Sequence, residues 1–264
     1  MTSDLIRRAR ALQQNSKDEG MWARLRRLTA ARIGLPRTGA SLTTGPLLDF
    51  QLAHARARDA VWEALDETKL GNSLARFGLA VLTVSSAASD RQHYLMRPDL
   101  GRRLPPDAVL TLEPRANNYD VVFVIAGGLS ARAVQRHASP VLDGALKGLR
   151  DEGWRIAPLV VVRNGRVGVG DEIAAVLHAT CAVVLVGERP GLSAPDSMGA
   201  YLTWEPHAGT TDADRNCISN IRPDGIGYAD AAYKILHLLR AMRARRLSGI
   251  ALKDESDRTA IRDS

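Results

Sequence analysis

C-A-V-V-L-V-G-E-R-P-G-L-S-A-P-D-S-M-G, residues 181 to 199, is the stretch from which the architecture of the chain can be worked out. Its first six residues, Cys181 to Val186, are small, apolar or β-branched. The run is too short for a typical helix, so it predicts a strand buried on both faces. Gly187 ends the run, and Glu188, Arg189, Pro190 and Gly191 follow. That order predicts a turn at the sheet edge whose backbone can lie close to another molecule. In open α/β sheets this edge is where ligands bind. An ordinary strand exit with a solvated Glu-Arg pair has the same spacing, so the stretch alone leaves both readings open.

Apolar runs at 121 to 126 and 158 to 162 resemble the run at 181 to 186, with helical patterns between them at about 130 to 152 and 171 to 179. A further strand is predicted from Leu79 to Val84. Strands alternating with helices predict an α/β fold, a doubly wound, mostly parallel Rossmann-like sheet preceded by an N-terminal helical region. Ser130 stands where a helix cap is needed, and Asp171 and Glu172 meet the positive end of the next helix. Tyr228, Ala232, Ile235, Leu239 and Met242 mark a C-terminal amphipathic helix expected to stop at Ser248-Gly249.

The earlier residues read differently. Short helices are predicted at 4 to 15 and at about 20 to 33, followed by an extended loop from Gly34 to Gly45. Pro46 suits the first turn of a longer helix ending near Leu65, with Leu48, Leu52, Ala55 and Trp62 on its packing face. The expected division is a helical region at 1–78, an α/β ligand domain at 79–250 and a mobile, charged tail at 251–264.

The 264 residues are 45% hydrophobic and 25% charged, an ordinary globular balance, whereas the 5% aromatic content favours an aliphatic interior. The formal charge of +7 is spread along helical segments with acids between. No zinc-finger spacing or RNP-type motif accompanies it, so no nucleic-acid partner is expected. The two cysteines, Cys181 and Cys217, cannot form a disulfide framework. No apolar run is long enough to span a bilayer and no secretory signal is recognisable, so a soluble, reduced, cytoplasmic protein without a membrane partner is expected.

Few motifs survive comparison with their chemistry. Gly127 to Arg132, G-G-L-S-A-R, has Arg132 where a nucleophile elbow needs its second glycine, and it lacks the full dinucleotide fingerprint. G-R-V-G-V-G, Gly165 to Gly170, carries its glycines in the reverse order of that fingerprint. The six histidines lack metal-ligand spacing, and His54 reads as structural or interfacial. Arg97, Arg102 and Arg103 suit an anion or an acidic partner, with a solvated face favoured. Cys217 reads as a small filler in a polar loop more readily than as a reactive thiol. Three glycine-bearing loops, around Gly127, Gly165 and Gly187, nevertheless follow three predicted strands. They should converge on one edge as a broad backbone-lined surface for a large planar or amide-decorated ligand. The residues imply a cofactor-binding α/β domain without its own catalytic apparatus.

Several longer strings carry a resemblance: L-R-R-L-T-A-A-R-I at Leu25, D-F-Q-L-A-H-A-R-A-R-D-A-V at Asp49, Y-L-M-R-P-D-L-G-R-R-L at Tyr94, V-G-E-R-P-G-L-S-A-P-D-S-M-G-A-Y at Val186, D-R-N-C-I-S-N-I at Asp214 and R-L-S-G-I at Arg246. From about Leu25 to Asp254 the chain resembles the small (light) subunit of ethanolamine ammonia-lyase. The resemblance implies an adenosylcobalamin-dependent lyase that converts ethanolamine to acetaldehyde and ammonia. It also implies a hetero-oligomer with a TIM-barrel large subunit, in which this chain closes over the cobalamin and is not active alone. Carried over by motif, the cofactor-binding residues would be Val167 in G-R-V, Glu188 in V-G-E-R-P-G and Cys217 in R-N-C-I-S-N; no catalytic residue and no metal ligand is carried over. Two departures stand out. Gly127 replaces the acid usual in I-A-D-G-L-S, and the short N-terminal extension leaves enclosure in a bacterial microcompartment open. The competing reading is a dinucleotide-binding oxidoreductase or regulatory domain, and a third is a non-enzymatic scaffold.

Overall fold

A computed structural model describes residues 20–256, so the helix expected at 4 to 15 and residues 257–264 of the expected tail lie outside the described residues. The described chain forms two compact units, one of residues 20–57 with 191–194 and the other of residues 58–190 with 195–256.

In the smaller unit the first helical segment covers only 20–26, not 20–33. The Arg26 side chain explains the early stop: its Nη1 donates to the carbonyls of Ile33 and Gly34, at 3.3 and 2.6 Å, and so folds the following residues back. The expected loop at 34–45 contains a small antiparallel ribbon that pairs Arg37 with Leu42 and Thr38 with Ser41. Helix α1, Thr44–Trp62, begins in this unit. Its expected packing face is largely open among the described residues, with Leu48, Leu52 and Trp62 57%, 50% and 57% exposed.

The larger unit is a mixed α/β structure around one six-stranded sheet. The strands are β1 (Val81–Ser85), β2 (Tyr119–Ala126), β3 (Leu159–Arg163), β4 (Ala179–Gly187), β5 (Met198–Trp204) and β6 (Arg215–Ile221). Their order is β1-β3-β2-β4-β5-β6. The first four are mutually parallel, with Val124 of β2 opposite Val160 on one side and Val184 on the other. β5 and β6 run antiparallel at one edge.

Alternation along β2 shows why its sequence is apolar throughout. Val121, Phe123 and Ile125 enter a core with Leu142 and Leu146 of α5 (Ala131–Asp151) and Ile235 and Leu239 of α7 (Tyr228–Arg245). Val122, Val124 and Ala126 face the other side, against Leu112 of α4 (Pro106–Leu112) and Ile173 and Leu177 of α6 (Val169–Leu177). A strand covered on both faces has no polar side to show. Two further helices, α2 (Glu67–Ala75) and α3 (Arg91–Met96), complete the unit's longer helical elements.

Three local expectations are corrected. The segment around Cys217 is not a loop but the outer strand β6, in which Arg215, Ile218 and Ile221 are buried while Cys217, Ser219 and Asn220 are exposed. Its polarity reflects a strand with one wet side. Ser130 occupies the N-cap position of α5, yet its hydroxyl donates to the Pro195 carbonyl at 3.0 Å instead of capping the helix. Helix α7 ends at Arg245, with Arg246 taking the left-handed conformation at φ 53° and its N–H reaching the Met242 carbonyl at 2.7 Å. Gly249 serves a close approach instead: a Cβ there would lie 2.1 Å from the Ala213 carbonyl oxygen.

Candidate functional site

The loops that leave β2, β3 and β4 meet at the carboxyl edge of the parallel strands. Gly128, at φ 58°, is where the first and third touch: a Cβ there would stand 2.2 Å from the Gly187 carbonyl oxygen. The Leu129 N–H donates to that same carbonyl at 2.9 Å. Only a residue without a side chain lets the two backbones come this close. The expected convergence of the glycine loops on one edge is therefore present in the fold.

A hollow of about 250 Å³ opens there, with Leu129, Val167, Val186, Glu188 and Tyr201 in its wall. Val167 and Tyr201 also border a neighbouring hollow of about 520 Å³, which Arg102, His207 and Arg215 flank. Val167 and Glu188 thus share one hollow. Cys217 is not in its wall but stands directly behind it, opposite Tyr201 in the β5–β6 pairing. Of the arginines singled out earlier, Arg97 is tied to Asp99 at 2.7 Å, whereas Arg102 and Arg103 both line the larger hollow, Arg103 3.5 Å from Glu172.

Glu188 is held before any ligand arrives. Its Oε1 accepts from the Ser219 hydroxyl at 2.5 Å, and its Oε2 accepts from the Ser197 hydroxyl at 2.6 Å and from the Asn220 N–H at 3.1 Å. Three donors leave the carboxylate with spare lone pairs but no rotational freedom. Behind it, burial pushes the Tyr201 phenol up, and the thiol of Cys217 adds to the effect. Burial also raises the Cys217 thiol; the Tyr201 hydroxyl pulls it down and the Glu188 carboxylate adds to the rise. Both groups stay neutral near pH 7, so this pair is polar without being ionised.

Sequence reasoning missed Tyr94, Arg166 and Tyr201. Tyr201 could have been found: Met198, Ala200 and Leu202 are buried, and alternation sends the residue between the last two to the other face. Tyr94 carries no such signal, because it sits on the one-and-a-half-turn helix α3 and reaches the hollow only through tertiary packing.

Fold and site together define a mixed α/β protein with an open hollow at the carboxyl edge of its parallel strands. The family model described as ethanolamine ammonia-lyase light chain matches residues 19–253, and the chain belongs to that family. It is 54% identical over 243 residues to the ethanolamine ammonia-lyase small subunit of Azotobacter vinelandii, covering 90% of each chain. The corresponding protein of Pseudomonas aeruginosa PAO1 is 51% identical over 247 residues, covering 92% of this chain and 90% of its own. That of Ralstonia nicotianae is 50% identical over 240 residues, covering 89% of each. Among the described residues no helix is long and apolar enough to cross a membrane.

Proposed function

We propose that this chain is the small subunit of an adenosylcobalamin-dependent ethanolamine ammonia-lyase, and that its glycine-loop edge forms one wall of the cofactor site against a barrel-type large subunit. The observation that carries the reading is the grouping of Val167, Glu188 and, one strand behind, Cys217 around the hollow at the carboxyl edge. The four parallel strands with helices on both faces are read as the Rossmann-like part of the chain.

The residues suit a corrinoid. A hollow of about 250 Å³ is far too small to enclose one, so it can take only part of the ring's periphery. Its fixed polar group, Glu188, is an acceptor matched to amide N–H donors such as those around a corrin. Val167 supplies apolar contact beside it.

When bound, adenosylcobalamin supplies radical chemistry, the cleavage of a cobalt–carbon bond, that side chains lack. This chain's share is positional. Glu188, aimed by Ser197, Ser219 and Asn220, accepts hydrogen bonds from the ring's amides, while Val167, Val186 and Leu129 keep water from that contact. The exposed apolar face of α1, with Leu48, Leu52 and Trp62, suits burial against the larger partner.

Co-expression with the large subunit tests the reading. The complex should bind cobalamin and release ammonia from ethanolamine, and Glu188→Ala should weaken cobalamin binding. Unchanged affinity in that variant removes the role of Glu188. NAD(P)H binding by this chain alone would favour a dinucleotide-binding domain instead.

A further inference from the structure

Tyr94 is the most enclosed of the five tyrosines, at 1% exposed, yet it belongs to the wall of the smaller hollow. Three of the other tyrosines, all partly buried, have a partner for the phenol. Tyr119 donates to the Arg115 carbonyl at 3.1 Å, Tyr228 meets His137 Nδ1 at 2.8 Å, and Tyr201 faces Cys217. Tyr233 lies at the surface. The Tyr94 hydroxyl has no hydrogen bond to any described residue, and it is absent from the polar atoms sealed away from solvent without a partner. Tyr94 thus lines the hollow with a hydroxyl that no described residue binds.

The surroundings bias what that hydroxyl accepts. The guanidiniums of Arg91 and Arg166 lie over the Tyr94 ring, 4.7 and 4.6 Å from its centre. Neither arginine has a carboxylate partner among the described residues. Arg91 donates to the carbonyls of Val61 and Gly128, both at 2.7 Å, and Arg166 donates to the Tyr94 carbonyl at 3.2 Å. Each keeps one buried N–H without a partner, Arg91 through Nη2 and Arg166 through Nε. Two uncompensated cations over one phenol polarise its O–H and favour an electronegative atom beyond it.

We propose that Tyr94 is a ligand-binding donor of this hollow: its hydroxyl hydrogen-bonds the carbonyl oxygen of a corrin side-chain amide, opposite the Glu188 carboxylate that takes amide N–H groups. A fixed donor and a fixed acceptor in one hollow recognise an amide and disfavour the corresponding carboxylate, which would face Glu188 with like charge. This rests on the cofactor reading above and deepens it by adding a residue and a basis for selectivity.

Tyr94→Phe is the test, because it keeps the ring beneath both guanidiniums and removes the hydroxyl alone. In the assembled complex, binding of cyanocobalamin, and of cobinamide, which keeps the corrin amides but lacks the nucleotide tail, is titrated by absorbance. The expected result is affinity lower by about fivefold for both ligands, the effect of one hydrogen bond, with melting temperature unchanged or raised. Equal affinity in variant and wild type overturns the proposal. Loss for cyanocobalamin alone overturns the amide assignment, since the contact would then lie on the tail. A lowered melting temperature overturns it too, since the hydroxyl would then have a partner in the fold. A wild-type complex that binds neither ligand removes the cofactor reading itself, a result distinct from the others.

Discussion

Arg215 on the outer strand β6 grips both carboxylate oxygens of Asp171 in the first turn of α6, each at 2.6 Å, with the arginine side chain 3% exposed. Thr203 accepts a further hydrogen bond from the same guanidinium at 3.0 Å. The pair ties the antiparallel edge of the sheet to a helix that starts beside the larger hollow. Removing one partner strands a buried charge, which costs about 3–5 kcal/mol. Asp171→Asn and Arg215→Ala should therefore each lower the melting temperature by on the order of 10 °C. Replacing both together, Asp171→Leu with Arg215→Met, should recover much of the loss. Urea titration of the three variants decides the matter, and single-variant losses below about 1 kcal/mol would mean that the pair behaves like a surface ion pair.

Adjacent glycines in the β2 loop should respond in opposite ways. Gly128→Ala puts a methyl 2.2 Å from the Gly187 carbonyl oxygen at φ 58°, so the loops must part. The cost should exceed about 2 kcal/mol, since backbone strain of about 1–3 kcal/mol adds to the clash. Gly127→Ala makes ordinary contacts alone, with the Cβ atoms of Ala131 and Leu65 at 3.8 Å and the Ala131 Cα at 4.0 Å, and should change stability by less than about 0.5 kcal/mol. Thermal melts of the two variants side by side test whether the loops touch as described.

What was legible beforehand follows from the same physics. β2, β3 and β4 were visible because double-sided burial leaves an unbroken apolar run, and their glycines marked the loops that meet. β6 was hidden: Arg215, Asn216, Ser219 and Asn220 read as a loop because only every third residue or so turns inward, and the buried arginine is neutralised by Asp171, distant in sequence. That the loops carrying Val167 and Glu188 meet could be anticipated from strand ends, whereas the two residues themselves were picked out by the resemblance and Tyr94 by neither. Its burial depends on Arg91, Arg166 and Gly101, whose pairing arises only when three separate segments meet. The end of α7 at Arg246 was missed because the glycine that usually marks such an end was spent three residues on, against Ala213.

The two thiols should separate cleanly by reactivity. Cys181 lies in the core between the sheet and its helices, where burial pushes its thiol up to about 12. Cys217 is on the wet side of β6, its thiol raised by partial burial. Thiolate is the reactive form, so a thiol reagent at pH 8 should modify Cys217 slowly and leave Cys181 untouched until the chain unfolds. Counting thiols by mass with and without urea checks this. Rapid modification of Cys181 in the native chain would contradict its enclosure. Protection of Cys217 by cobalamin in the assembled complex is the further outcome expected of the proposed site.

Acid should destabilise the chain partly through His137, which is 3% exposed and meets the Tyr228 hydroxyl through Nδ1 at 2.8 Å. Burial lowers its basicity; the Asp196 carboxylate, 3.8 Å from Nε2, opposes that, while Arg136 and Arg222 reinforce it. The folded chain therefore binds this proton less readily than the unfolded chain, whose histidine titrates near about 6.5. Above that pH both states are neutral here and nothing is lost. As pH falls through about 6.5 the unfolded state takes up the proton first, and stability drops by at most about 1.4 kcal/mol per pH unit until the folded histidine also titrates. His137→Gln retains a partner for Tyr228 without the titration, so its urea midpoint should fall less between pH 7.5 and 5.5 than that of the wild type. An equal fall in both proteins would assign the acid sensitivity to other groups.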